Sequence, residues 1–464
     1  MNISSNIDFV RNFVDTHEFF IAEENLYMVY NNEVIDFHSN KAKHLVNVDY
    51  QEQLNSLAPS SKYLVDNIES RVILSNIPKF EHVFHRVMKQ GKEVIYDLVN
   101  ENKVVVITTQ GYQIVDKVSS KYLNLIPSAS SQAQPEPMVA DETLLDLLDK
   151  VTNFKNREDL TLFTIWLVSL LFPNIDTPIL ILLGEQGSGK SYTSDMAKKV
   201  IDPTHTGKQH GMKSVQDFAL LVSKAYMSII DNLSEITDEM SDAMCQTVSK
   251  GQYTTRKLYT SDELSVISMK SKLIINGITI MNTKPDLLER SIVLGLDKLD
   301  GNKILDESSL NKLFNELKPK ILDKIFLAVS HVLKVVDGIN LKTKPRMADF
   351  AQYLIAIGDY LGLDSKFTLD LYMSNISEVT DLIIDDPVVS ALRQILEQSN
   401  GEFNGSASDL LSNMNQLGYE GLPKAPNSLS AKLTRLSSDL AKDGISISRS
   451  KDWQGNRTIK IKKQ

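Results

Sequence analysis

The chain has a single cysteine, Cys245, in 464 residues. That excludes an intrachain disulfide and zinc–cysteine clusters, and it fits a reducing compartment. Its eight histidines are scattered, with no H-E-x-x-H and no metal-ligand spacing. Membrane-length apolar runs are missing too: Leu160–Phe172 is only about thirteen residues, too short for a bilayer, and reads as a buried helix. The start, MNISSNIDFVRNF, lacks a basic region followed by a continuous apolar segment, so it is not read as a signal peptide. A cytoplasmic protein is expected. The formal charge of −9 argues against wholesale coating by nucleic acid but leaves room for a local basic surface. The length allows roughly two to four domains.

What is present points to phosphate chemistry. The apolar run Pro178–Leu183 leads into Gly184-Glu-Gln-Gly-Ser-Gly-Lys190-Ser191, the pattern G-x-x-x-x-G-K-[ST] between a strand and a helix. Glycines at the turns let consecutive backbone N–H groups converge on a phosphate, and the helix that follows adds its positive end. Gly184, Glu185, Gln186, Gly187, Ser188, Gly189, Lys190, Ser191 and Tyr192 are therefore the candidate ATP contacts. Lys190 is expected to reach the β/γ-phosphates and Ser191 to take one Mg²⁺ position.

A second apolar strand, Ala225–Ile230, ends in Asp231-Asn232. Asp231 is the candidate metal-side carboxylate, with helix capping as the plain alternative. Asn232 stands where most such ATPases carry a water-orienting glutamate, so the general base stays open among Glu235, Glu185 and Asn232 itself. A third strand, Ser271–Asn276, ends in an amide suited to orienting water near a γ-phosphate. Arg290, after a short helix, suits a γ-phosphate contact from a neighbouring subunit; pairing with Glu289 or Asp286 is the alternative. Arg346 follows Pro345, which is placed for a helix start, and is read either as a nucleotide contact or as a surface residue.

Residues 1–127 mix helices with alternating runs such as Leu26–Asn31 and Val104–Thr109, and read as an N-terminal α+β domain. Residues 128–139, rich in Ser, Ala, Gln and Pro, read as a linker. Residues 140–384 alternate strands and helices and predict a parallel α/β sheet with a helical lid. A β-hairpin over 251–270 interrupts that rhythm; Arg256, Lys257 and Lys270 would contact DNA if it faced a channel, while packing on its own domain is the alternative. Residues 385–464 read as three helices and a two-stranded hairpin, a winged helix. From Lys424 to Lys463 there are ten Lys/Arg against three Asp/Glu, so positive charge gathers where the module could dock on DNA. Asn427, Ser430, Lys432 and Arg435 on the third helix and Arg449, Lys451 and Arg457 on the wing are the candidate contacts; Trp453 either wedges against the backbone or packs under the hairpin.

Together, G-E-Q-G-S-G-K-S, I-I-D-N-L-S, the R-K-L-Y-T hairpin, N-G-I, D-L-L-E-R-S and P-R-M-A-D-F resemble the replication initiator-helicases of staphylococcal pathogenicity islands and chromosome cassettes, which are similar to the minichromosome-maintenance helicases. The resemblance covers roughly residues 140–360. It implies an AAA+ P-loop ATPase core working as a hexameric ring around DNA, with Mg²⁺ and ATP between subunits and 3′ to 5′ translocation. Within it, Asn276 falls on the first sensor, Arg290 on the arginine finger and Arg346 on the second sensor. The expected activity is an ATP-dependent helicase and replication initiator. Its rival is an ATP-dependent regulator that docks a partner through the N-terminal domain without unwinding. Primase chemistry is disfavoured, because residues 1–127 show no convergent acidic triad.

Overall fold

The computed structural model describes residues 3–23, 25–31, 33–81, 83–117, 122, 124–126, 130–137, 142–205, 207–212, 214–223, 225–233, 236–249, 251–256, 264–277, 284–298, 307–341, 345–384, 387–399, 401–419, 422–442, 444–451 and 457–463. Side chains are described in fewer: those of Arg256, Arg435, Lys451 and Arg457 are not, and Lys257, Glu235 and Trp453 lie outside the described residues altogether.

Five strands form the central parallel sheet: β1 (Ile179–Leu183), β2 (Lys208–His210), β3 (Met227–Asp231), β4 (Lys272–Gly277) and β5 (Ser291–Gly295), in the order β2-β3-β4-β1-β5. Helices cover the sheet, which is why β1, β3 and β4 read as nearly unbroken apolar runs instead of alternating ones. Because β1 lies between β4 and β5, the connection from β4 to β5 must cross it. That leaves a crevice beyond the carboxyl end of β1, where ligands of open α/β sheets bind.

The helix Arg157–Ser169 starts on an Asn156 cap that accepts from the Asp159 N–H. Its residues from Leu160 onward are all buried, as its apolar composition demands. Trp166 Nε1 satisfies its only donor on the Pro178 carbonyl at 2.8 Å. No described helix is long and apolar enough to cross a membrane.

The N-terminal region divides differently from the expectation of one domain to residue 127. Residues 3–80 pack the helices Ile3–Thr16, Asn40–Leu54 and Ser61–Ile73 against a small sheet around Phe9, Phe13, Phe19 and Tyr50. The meander that follows, Val87–Gln90, Glu93–Asp97, Lys103–Thr108 and Gly111–Asp116, instead puts Val94, Tyr96, Val105 and Ile107 into the same apolar core as the central sheet. Tyr96 and Tyr112 both pack on Phe326 of the long helix Glu307–Val335, with ring centroids 5.3 and 5.5 Å away.

The expected linker has no helix or strand in its described part, 130–137, but it is firmly docked. The buried Gln132 side chain donates to the Val200 carbonyl at 2.8 Å and to the Tyr96 hydroxyl at 3.0 Å. Burial makes such hydrogen bonds costly to leave unmade, so this segment is a fixed strap and not a tether.

The C-terminal region has a separate core. The helices Pro387–Gln398, Ala407–Gln416 and Pro426–Lys442 bury Leu392, Leu410, Leu429 and Leu433 against Ile445 and Ile461. Its sheet has three strands, not the expected two. Glu402–Gly405 pairs with Arg457–Lys463, which pairs with Ile445–Lys451, all antiparallel.

Candidate functional site

The loop after β1 has the backbone that its glycines permit. Gly187 and Gly189 take φ of +83° and +82°, in the left-handed region. A Cβ on Gly184 would lie 2.5 Å from Ser188 Oγ and 2.9 Å from the Leu296 carbonyl, so only glycine fits. The helix Lys190–Ile201 begins on Gly189 with no side-chain cap. Its first-turn N–H groups thus face the crevice as an anion cradle. Lys190 Nζ donates to the Gly184 and Glu185 carbonyls at 2.5 and 2.7 Å, curling over the space a phosphate would fill. Burial lowers the Lys190 pKa from its usual value, and the Asp231 charge opposes that shift.

Beneath the loop, the parallel register sets the ends of β1, β3 and β4 side by side, with Leu182 opposite Asn276 and Ile230 opposite Ile275. Asp231 Oδ1 accepts from Ser191 Oγ at 3.0 Å and from Asn276 Nδ2 at 2.9 Å. Asn276 Oδ1 in turn accepts from Ser194 at 2.7 Å. Asp231 therefore does not serve as the expected alternative, a helix cap; the following helix, Asp238–Val248, is capped by Thr237. Burial pushes the Asp231 carboxyl up, but the hydrogen bonds from Asn276 and Ser191, with the charges of Lys208 and His210, outweigh it. The net effect holds the group below the ordinary carboxylate range.

Asn232 is exposed and sits at φ +57°, a left-handed position that Asn tolerates better than Glu. Glu185 points to Lys298 at 3.5 Å and is largely solvent-exposed. Tyr192 donates its hydroxyl to the Leu310 carbonyl at 3.4 Å, joining the loop helix to the long helix.

Three further residues belong to this site. Lys208 binds both oxygens of Asp195 at 2.7 Å and lies 3.9 Å from Asp231 Oδ2; His210 Nδ1 is 3.6 Å from the same oxygen. They arrive on β2, a strand too short to betray itself by alternation. Asn153 donates to the Ser188 carbonyl at 3.0 Å and to the Asp297 carbonyl at 2.7 Å. Its neighbours Phe154 and Lys155 bridge to Leu296 and Gly295. One amide thus ties the phosphate loop to the segment leaving β5.

Arg290 lies at the other end of the sheet. It precedes β5, whose first residue pairs with Ile179 at the start of β1, while the phosphate loop follows Leu183. Five residues at about 3.3 Å each separate the two ends by about 16 Å. Arg290 cannot serve the loop of its own chain. It donates to Ser249 Oγ at 2.6 Å and sits 3.4 Å from Asp286. Arg346 is on the same edge, paired with Asp286 and Glu289. It falls in the turn before the helix Ala348–Tyr360, not in the helix's first turn as Pro345 had suggested. Both arginines line a cleft with Asp176, Val248 and Phe350.

Of the expected DNA contacts, Lys270 is turned away. Its ammonium binds Glu23 of the N-terminal region at 2.6 Å; it stands at the root of the hairpin, past the end of the strand Leu264–Ser268. Arg256 ends the strand Gln252–Arg256, opposite Leu264. Arg449 is exposed but folded back, donating to the Ser430 carbonyl at 2.8 Å. Lys432 is half-buried on the helix Pro426–Lys442. Lys460 and Lys462 share Glu402. Among the described residues, no group of three or more His, Cys, Asp or Glu side chains could hold a metal ion.

Residues 145–382 match the model of the actinomycete integrative conjugative element replication protein family, and residues 388–464 match that of the AICE RepA C-terminal domain. The chain belongs to this family: it is a replication protein of a mobile genetic element. The match bears out a replication protein of a mobile element; it does not extend to the initiator-helicases of staphylococcal elements in particular. No curated protein matches the chain. Among solved structures, the apo structure of the NrS-1 C-terminal region (305–718) is 10% identical, with 100% of both chains covered and a TM-score of 0.42. An A-form apo structure of that region is 11% identical, covering 98% of this chain and 99% of the other, with a TM-score of 0.41.

Proposed function

We propose that this replication protein is an AAA+ ATPase that unwinds DNA at the origin of its element, working as a ring in which ATP binds between subunits. The observation that carries this reading is the division of labour across one sheet. Ser191, Asp231 and Asn276 converge under Lys190 at the carboxyl ends of the strands, while Arg290 and Arg346 wait about 16 Å away at the opposite ends. A pocket so divided is completed by a second copy.

In this reading the loop amides and Lys190 bind the β- and γ-phosphates of ATP. Ser191 and Asp231 would hold Mg²⁺, which when bound neutralises phosphate charge. One hydroxyl and one carboxylate are a fitting protein share for a cation that keeps waters and takes substrate phosphates as its other ligands. Asn276 orients the attacking water, whose oxygen bonds to the γ-phosphorus as the bond to the bridging oxygen breaks, giving ADP and phosphate; one proton of the water stays on the phosphate and the other passes to solvent. Arg290 and Arg346 of a neighbour stabilise charge on the transferring group. Asn232 positions water through its amide and takes no proton.

The hairpin around Gln252–Ser268 would follow DNA in the channel, with Arg256 and Lys257 near the backbone. The C-terminal region would act as a winged helix on the origin duplex, through Lys432, Arg435, Arg449, Lys451 and Arg457. Similarity to minichromosome-maintenance helicases, ring size and 3′ to 5′ polarity belong to the same proposal. The test is ATP turnover with and without single-stranded DNA, paired with strand displacement on forked duplexes of both polarities. Stimulated turnover with displacement supports the reading. Stimulation without displacement would favour the regulator, and no turnover at all would end both.

A further inference from the structure

One face of the helix Asp238–Val248 is zipped to the segment that carries Arg290. Residues 242, 245 and 249 recur at the spacing that stacks side chains on one side of a helix. Asp242 binds Lys284 at 2.7 Å, burial and the neighbouring Asp286 carboxylate push the Cys245 thiol pKa up, and Ser249, at the helix C-cap, accepts from Arg290 at 2.6 Å. The seam runs from a charged pair at the far end to a single hydroxyl at the near end.

That near end is also the root of the hairpin. Gly251, two residues on from Ser249, donates its N–H to the Gln246 carbonyl at 2.7 Å, and a Cβ there would come within 2.9 Å of Gln246 Cβ. Met269, fully buried, closes the other strand onto the Gly251 carbonyl at 2.9 Å. The hairpin therefore stands on the last turn of this helix, with little slack between them. A change in the last turn must move the hairpin's base.

We infer that the Ser249–Arg290 contact couples the nucleotide state of one subunit to the DNA-facing hairpin of its neighbour, with Ser249 as the positioning residue. This rests on the proposed roles of Arg290 and the hairpin. The guanidinium keeps unused donor capacity: its fork offers five donors, one is spent on Ser249 at 2.6 Å, and its buried Nε makes no hydrogen bond among the described residues, having Asp286 Oδ2 3.4 Å away as an ion-pair partner. A neighbour's triphosphate offers shorter, charge-assisted bonds. Arg290 then leaves Ser249, and the seam opens at the hairpin's root while the Lys284–Asp242 pair holds the far end. By linkage the effect is reciprocal: DNA that shifts the hairpin changes how readily Arg290 is released.

The experiment compares Ser249→Ala, which deletes the acceptor, with Ser249→Thr, which keeps it. ATP turnover is measured with and without a single-stranded oligonucleotide, alongside thermal melting and nucleotide affinity to establish that each variant is folded. Ser249→Ala should keep DNA-independent turnover within about twofold, while the DNA stimulation ratio falls about fivefold, the lower end of allosteric couplings. Ser249→Thr should restore the ratio. A folded Ser249→Ala protein with the wild-type ratio overturns the inference and leaves the proposed function standing. A wild-type protein unaffected by DNA removes the proposed function, and the coupling with it.

Discussion

Replacing Asp231 by Asn keeps the shape of the side chain and removes its charge. In the native site the group is 5% exposed and accepts from Ser191 and Asn276. Hydrogen bonds to a charged acceptor contribute about 1.5–3 kcal/mol each against about 0.5–1.5 for neutral ones, so two weakened bonds cost about 2–3 kcal/mol. Relief of the carboxylate's burial offsets part of that cost. The sign follows from the direction of the shift: Asp231 is held below the ordinary carboxylate range, so the interactions outweigh burial and the native fold favours the charged form.

The stabilisation from Asp231 is present above the unfolded value of about 3.9 and disappears as pH falls through the lower folded value. Wild type should therefore melt above Asp231→Asn at neutral pH, with the difference shrinking as the pH falls below about 4. Function should separate from stability. ATP binding measured in chelator should be equal or tighter in the variant, since a negative charge facing the triphosphate is gone. The extra affinity conferred by Mg²⁺ should vanish, and turnover should drop about 10²–10³-fold, as for loss of one preorganised electrostatic group. A fluorescent ATP analogue and phosphate release read both. Wild-type turnover in the variant, or an equal loss of ATP binding in chelator and in Mg²⁺, would refute the assignment of Asp231 to the metal side.

Three other outcomes follow from the same geometry. Asn153→Ala removes two amide donors from the loop and from the segment after β5; at about 1 kcal/mol each, ATP affinity should weaken about tenfold or more, and an unchanged dissociation constant would make Asn153 a bystander. Gly184→Ala places a methyl within 2.5 Å of Ser188 Oγ and 2.9 Å of a backbone carbonyl, so nucleotide binding should be lost in a nucleotide titration even if circular dichroism stays native. Arg449→Ala removes a charge and its tie to Ser430; if the C-terminal region reads duplex DNA, the slope of log affinity against log salt should fall by about 0.9, and an unchanged slope would take Arg449 off the phosphate backbone.

The legible parts of this protein are those whose chemistry is local in sequence. Lys190 and Ser191 follow from one octapeptide, and Asp231 and Asn276 stand out because each polar residue ends an apolar run. Parallel register then brings those ends together. What stayed hidden depends on distant pairing. The strand Lys208–His210 is three residues long, too short for any period. Asn153 meets partners 35 and 144 residues away, and Lys270 finds Glu23 across 247.

Alternation in the meander signalled half-buried strands, but a period of two cannot say which surface does the burying. Tyr96 and Ile107 proved to share the central core. The strand Glu402–Gly405 contains Asn and Gly, poor strand formers, and exists because Arg457–Lys463 offers it a ladder. Arg346 stood out beside Pro345 as either a nucleotide contact or a surface residue, and its place beside Arg290 needed the fold.

The claim on which the rest depends is that neighbouring copies complete one another's pockets, and mixing two inactive variants tests it most directly. Lys190→Ala lacks the loop lysine but still offers Arg290; Arg290→Ala has the loop but offers no arginine. Each should be inactive alone with ATP. In an equal mixture of randomly assembled rings, about one quarter of pockets pair an intact loop with an intact arginine, so turnover should recover to about one quarter of wild type. A mixture as inactive as its components, or full turnover by Arg290→Ala alone, would contradict the account.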